Sequence, residues 1–364
     1  FLELDYSIQF LENHFENIAG ECGDVSVFGA CLKDELRPKE KVLLKKTRMF
    51  YCAPIEHIYA SIRLFYDMNH KLIEATQDGY SSSAVGVTFQ HAYFEKLEKL
   101  HQECDESFFD DISGYDTKIR PYLMWEVAFF RFLCLSKECQ TKENWNRISN
   151  IYRDNIYTPL MLQNGLIISM IGGNPSGQYN TALDNTIILF FYFTFCWLIN
   201  GGKPDDFERF VHLKLFGDDS CVFLLKQALP YLNELKFTQS MKEFFGMEVE
   251  SSPIFEFLGH AMVYRPDWDM HVPVLGFDRI VSSMYCGPKH YDITKIWERA
   301  TGLRACCFCD EKSFKLADQY CRWLMKRFPR LDKRLYNSEF ALLEIYGATV
   351  KTQPLKSRRA DVLT

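Results

Sequence analysis

His212-Leu213-Lys214-Leu215-Phe216-Gly217-Asp218-Asp219-Ser220-Cys221-Val222-Phe223-Leu224-Leu225 is the stretch on which the reading of the chain turns. Two β-favouring runs flank Gly217-Asp218-Asp219, and Gly and Asp tolerate tight-turn dihedrals, so the segment predicts a hairpin with two adjacent carboxylates at its tip. With a third carboxylate from another strand, such a tip makes a hard oxygen site for Mg²⁺ ions that grip nucleotide phosphates. Gly-Asp-Asp is also an ordinary turn, so its neighbours must decide.

Upstream, Phe108-Phe109-Asp110-Asp111-Ile112-Ser113-Gly114-Tyr115-Asp116 reads as an apolar strand ending in acids, able to deliver a carboxylate to a fixed point. Between the two acidic stretches, Gly172-Gly173-Asn174-Pro175-Ser176-Gly177 predicts a loop. Thr181 and Asn185, four apart, fall on one face of the helix that follows. The continuation Ile187–Ile199, apolar except at Thr194, is shorter than the roughly 20 residues that span a bilayer. It predicts a helix buried under the hairpin sheet and no membrane span of its own.

The 364 residues are 47% hydrophobic and 15% aromatic, enough for a large core and for two or three lobes. Thirteen cysteines show no regular framework and no secretory leader opens the chain, so reduced thiols are expected; Phe1 in place of Met suggests a piece excised from a longer polypeptide. Cys306-Cys307-Phe308-Cys309 and Cys321 lack the paired spacing of zinc motifs and read as buried free cysteines. A formal net charge of −6 argues against indiscriminate nucleic-acid binding, but the charge is patterned. Lys33, Arg37, Lys39, Lys41, Lys45, Lys46 and Arg48 crowd one stretch against Asp34, Glu35 and Glu40, and Arg322, Lys326, Arg327, Arg330, Lys333 and Arg334 form a second cluster. Each suits a phosphate-tracking channel as well as a solvated face. Arg37-Pro38 breaks any long helix, and the extended segment expected after it puts Lys46 and Arg48 on one face.

The basic stretch Lys33–Arg48 closely resembles motif F of RNA-dependent RNA polymerases from positive-strand RNA viruses of the picornavirus-like supergroup, among them picornavirus, potyvirus and astrovirus enzymes. Asp111-x-x-x-x-Asp116 matches motif A, Ser176-Gly177-x-x-x-Thr181-x-x-x-Asn185 motif B and Gly217-Asp218-Asp219 motif C, in that order. Phe257-Leu258-Gly259-His260 resembles motif E. The resemblance spans roughly residues 33–290 and implies an α+β right-hand polymerase with fingers, a palm built on an antiparallel sheet, and a helical thumb. It divides the chain into fingers at 1–105, palm at 106–135, a return through the fingers at 136–171, palm at 172–285 and thumb at 286–364.

The same resemblance implies roles. Asp111, Asp218 and Asp219 would hold catalytic Mg²⁺, with Mn²⁺ able to substitute. Asp110 competes with Asp111, because families differ by one residue here, but Asp111 fits the pattern better. Lys33, Lys41 and Arg48, with Arg37 and Lys46 nearby, would contact the incoming triphosphate; Asp116, Thr181 and Asn185 would select ribose, and Ser176-Gly177 would form a loop against template and nucleotide. Partners would be RNA template, primer or product, rNTPs and other viral replication proteins, within replication complexes of the host cytoplasm. One departure is clear: after Gly246, which ends a helix expected over Ala228–Phe245, no lysine follows where the family carries a proposed general acid. Lys242, His260 or water are the remaining candidates. A reverse transcriptase and a non-catalytic RNA-binding scaffold are the rival readings.

Overall fold

The computed structural model describes residues 2–33, 39–45, 47–77, 79, 81–89, 92–285 and 292–348. The chain divides into two compact units, one of Phe1–Val87 with Cys104–Pro253, the other of Thr88–Glu103 with Ile254–Thr364.

In the first unit, strands β1 (Phe28–Leu32), β2 (Met49–Cys52), β4 (Pro159–Met161) and β5 (Ile167–Ser169) form one sheet in the order β2-β1-β4-β5. A second sheet runs β6-β7-β3-β8, from β3 (Glu106–Ile112), β6 (Val211–Phe216), β7 (Asp219–Leu224) and β8 (Val249–Ser251), and every pairing in it is antiparallel. Phe216 pairs with Asp219, so the hairpin loop is the two residues Gly217 and Asp218. Gly217 takes φ +64°, the positive value such short loops require. The Ser81–Val87 loop lies along the outer edge of β6: Ser82 O accepts from Leu215 N at 2.9 Å and Leu215 O from Ala84 N at 2.7 Å. That cover satisfies an edge that would otherwise be open to another chain.

The helix Thr181–Ile199 packs beneath this sheet, with Ile188, Leu189, Phe193 and Trp197 fully buried and the Phe193 ring stacked on Phe237 at 4.0 Å. At 19 residues it is longer than its uninterrupted apolar run, and by length and composition alone it could cross a membrane. Here it is a core helix, and its first turn carries the buried Asp184.

Two local expectations are corrected. The stretch after Pro38 does not begin extended: Lys39–Leu43 is a short helix, with the acidic Glu40 favouring its N-terminus, and Lys45 beyond it takes φ +52°. Arg37 and Lys46 lie outside the described residues. The helix expected over Ala228–Phe245 begins only at Glu234, since Pro230 interrupts the start and the Asn233 side chain caps Lys236 N at 2.9 Å. It closes in a π-helical turn, Met241–Phe245, against Gly246 at φ +66°.

The second unit holds the sheet β11-β10-β9, from β9 (Glu256–Phe257), β10 (His260–Arg265) and β11 (Met270–Leu275), with the helix Tyr93–Glu103 against β11. Leu258 and Gly259, φ +52° and +71°, make its tight β9–β10 turn. Among the described residues four α-helices follow, Phe277–Tyr285, Ile293–Cys306, Glu311–Arg327 and Glu339–Tyr346, and this part of the chain carries the free, buried thiols of Cys307, Cys309 and Cys321.

Candidate active site

β3 is the middle strand between β7 and β8, and its alternation separates the two rival aspartates. Asp110 points into the core side with Phe108 and Ile112, is 4% exposed, and accepts a 2.6 Å hydrogen bond from Ser251 Oγ on β8. Burial pushes it up to about 7, with Glu234 adding and Ser251 opposing. Asp111, one residue on, faces the open side of the sheet and is exposed.

Asp218 occupies the second loop position of the β6–β7 hairpin, and Asp219 begins β7. The loop is pinned from below, because Gly217 N donates to Thr186 Oγ1 of the Thr181–Ile199 helix at 2.9 Å. Asp218 is raised to about 6, first by burial at its base, then by the charges of Asp111 and Asp116, with Arg48 opposing. Two carboxylates, from β3 and from the short helix Tyr115–Lys118, and one guanidinium therefore act on Asp218.

The cations reach it from the other sheet. Lys33 follows β1 and Arg48 precedes β2, and Lys33 N donates to Arg48 O at 2.9 Å, so the two residues are held side by side. Both lower the affinity of Asp116 for its proton, against a larger opposing effect of burial. Lys41 stands apart on the exposed Lys39–Leu43 helix.

Asp116 also accepts a short hydrogen bond from Asn185 Nδ2. Thr181 is engaged differently: its hydroxyl bonds the loop carbonyls of Pro175 at 2.8 Å and Gln178 at 2.9 Å, so it holds the loop shut. Ser176 is exposed on that loop. Gly177 lies flat against β2; a Cβ there would stand 1.6 Å from Tyr51 O and 3.4 Å from Cys52 Cα, a contact only glycine permits.

Sequence reasoning missed the supports: Thr186 under the hairpin, the Tyr51 carbonyl under Gly177, and a buried polar group around Asp184. An acid in the first turn of an apolar helix was the one available signal.

A family model described as viral RNA-dependent RNA polymerase matches residues 9–267, more than half of the chain. The chain belongs to the viral RNA-dependent RNA polymerases. The polymerase is 31% identical over 339 residues to the genome polyprotein of Plum pox potyvirus (isolate NAT), covering 90% of this chain and 10% of the polyprotein. To that of Triticum mosaic virus it is 32% identical over 276 residues, 74% of this chain and 8% of the polyprotein. The chain thus spans about a tenth of the length of the curated relatives it matches. Among solved structures, a Sicinivirus 3Dpol RNA-dependent RNA polymerase superposes with a TM-score of 0.72 at 16% identity, covering 93% of this chain and 71% of that one. This likeness bears out the α+β right-hand fold expected from the motifs.

Polymerases of this family bind RNA and nucleotides and generally use divalent metal ions. The donor set here fits that chemistry: the acids are hard oxygen ligands, and beyond burial, the larger cause of its raised pKa, Asp218 feels the like charges of Asp111 and Asp116. Among the described residues no three His, Cys, Asp or Glu side chains converge closely enough to hold a cation unaided, so the expected three-carboxylate cage is not closed. Phosphate oxygens of a nucleotide are natural further ligands for a hard cation there.

Proposed function

We propose that this chain carries out template-directed RNA synthesis in viral genome replication, adding rNTPs to an RNA 3′-hydroxyl. The observation that carries the reading is Asp218: the carboxylate at the hairpin tip feels Asp111 and Asp116 as neighbours of like charge and Arg48 as their counterweight. A site that concentrates acids beside fixed cations is made for a triphosphate and its metal ions.

Asp111 and Asp218, with Asp219 beside them, would hold two Mg²⁺, for which Mn²⁺ can substitute. Such ions lower the pKa of the attacking hydroxyl and neutralise the triphosphate. The chain's own residues do the rest. Arg48 and Lys33, with Lys41, Arg37 and Lys46 of the same basic stretch, take the phosphate charge. Asp116 and Asn185 present a carboxylate and a carboxamide to the ribose 2′-hydroxyl, which donates and accepts. Ser176 and Gly177 lie on the loop that meets template and nucleotide.

Fingers would be 1–105 and 136–171, palm 106–135 and 172–285, and thumb 286–364; the first unit would hold most of the fingers and palm, with 88–103 and 254–285 falling in the second unit beside the thumb residues. The enzyme would work in host cytoplasm, in replication complexes with other viral proteins.

The test is primer extension on an RNA template with four rNTPs and Mg²⁺, comparing this chain with Asp218→Ala. Extension by the parent and none by the variant supports the reading. RNA binding without extension by either indicates a polymerase-like scaffold, and equal use of dNTPs indicates a reverse transcriptase.

A further inference from the structure

Asn185 can serve the ribose only if its carboxamide is turned one way, with Nδ2 toward Asp116. A carboxamide flip exchanges donor for acceptor at almost no change of shape, so something must fix it. Its Oδ1 accepts from Asn174 Nδ2 at 2.8 Å, which transfers the question to Asn174. Asn174 Oδ1 accepts from Gln178 Nε2 at 3.0 Å, which transfers it to Gln178.

Gln178 is where the series ends, because its partners have no choice. Its Nε2 also donates to Asp184 Oδ2 at 3.1 Å, and an ionised carboxylate can only accept. Its Oε1 accepts from Asn180 N at 2.7 Å, and a backbone N–H can only donate. Asp184, fully buried, is paired with Arg131, whose Nε and Nη2 lie 2.8 and 2.7 Å from Oδ1, and accepts from the Tyr152 hydroxyl on Oδ2 at 2.9 Å. Arg131 is itself oriented: Nη1 donates to Asn69 Oδ1 at 2.9 Å, and Asn69 Nδ2 donates to Asn180 Oδ1 at 2.8 Å. Asn174, Gln178, Asn180, Asp184 and Asn185 are all at most 5% exposed, so bulk solvent does not compete for these hydrogen bonds.

We infer that the buried Arg131–Asp184 ion pair is a positioning device for sugar selection. It sets the direction of three successive carboxamides, Gln178, Asn174 and Asn185, so that the last presents its NH₂ to Asp116. The charge acts on ribose recognition through these side chains. A buried pair of this kind adds little net stability over apolar residues of the same size, which leaves specification of a unique arrangement as its use. The inference deepens the polymerase reading and rests on it.

The experiment compares single-nucleotide incorporation of each rNTP with its 2′-deoxy analogue, as kcat/KM, for the parent and three variants. In Gln178→Leu the ion pair stays whole but the series is cut; in Asp184→Asn the acceptor that orients it is gone; Tyr152→Phe removes one hydroxyl without changing which atoms must accept. The expected result is a loss of rNTP preference of about tenfold, the scale of one hydrogen bond, in the first two variants and an unchanged ratio in the third. If rNTP and dNTP rates fall together in Gln178→Leu and the ratio holds, the group is only structural and the inference is wrong. Should Asp184→Asn fail to fold, Gln178→Leu alone decides. A parent that extends no primer overturns the polymerase reading instead, a different outcome.

Discussion

Asp110→Asn set against Asp111→Asn tests the division of labour on β3. Asp110 sits in the core side at 4% exposure and is raised to about 7. That is about three pH units above an unperturbed aspartate, worth on the order of 4 kcal/mol at about 1.4 kcal/mol per unit. The sign follows from linkage: a carboxyl whose folded pKa is raised contributes stability while it is protonated, and that contribution is lost as pH rises toward 7. Asparagine cannot ionise and still accepts from Ser251. The variant should therefore gain on the parent by roughly 3 kcal/mol between pH 5 and pH 7.5, read as the difference between their urea denaturation curves. Primer extension by Asp110→Asn should stay within a few-fold of the parent, while Asp111→Asn should lose about a hundredfold or more, as expected when a charge aimed at the reacting centre is removed. A stability difference that does not change with pH, or equal loss of extension in the two variants, would refute the assignment of Asp110 to the fold and Asp111 to the chemistry.

Gly177→Ala must displace either its loop or β2, because the new Cβ would meet Tyr51 O at 1.6 Å; overpacking on this scale costs about 1–3 kcal/mol, and kcat for extension should fall about a hundredfold while RNA affinity in a filter-binding assay stays near the parent's. Thr186→Val keeps the shape under the hairpin but removes the acceptor for Gly217 N, so a melting experiment should show a loss of about 1–3 kcal/mol, together with slower extension. If Asp218 holds metal as proposed, extension by the parent should decline as pH falls through about 6, where its carboxylate takes up a proton, and by pH 5 the rate should be down about tenfold; a flat profile between pH 5 and 7 would contradict that role.

What could be read from sequence is local. The hairpin shows itself because alternation, glycine and aspartate all lie within fourteen residues, and Thr181 and Asn185 share a face through helical spacing alone. The choice between Asp110 and Asp111 needed the register of β3 against β8, where Ser251 claims the first of them. Arg131, Tyr152 and Asn69 were invisible because they reach Asp184 and Asn180 from separate helices, and no period in the sequence links them. The Lys39–Leu43 helix was missed for the opposite reason: five residues are too few to show a helical period amid such dense charge. The Ser81–Val87 loop read as a simple break, yet it shields the edge of β6, a partnership set by residues about 130 positions away.

The central place of β3 has a consequence for how this protein comes into being. Its pairing partners, β7 and β8, begin at Asp219 and Val249, more than a hundred residues after β3 ends at Ile112. At roughly 5–20 residues per second on a ribosome, Phe108 and Phe109 emerge about 5–20 seconds before the strand that will cover them. Throughout that interval the nascent chain displays an unpaired apolar strand, and the acidic tail Asp110-Asp111 is its built-in guard against sticking to other chains. Of the two acids, Asp110 ends in the core and Asp111 at the surface, yet on the unfinished chain both put charge beside the strand before its partners arrive.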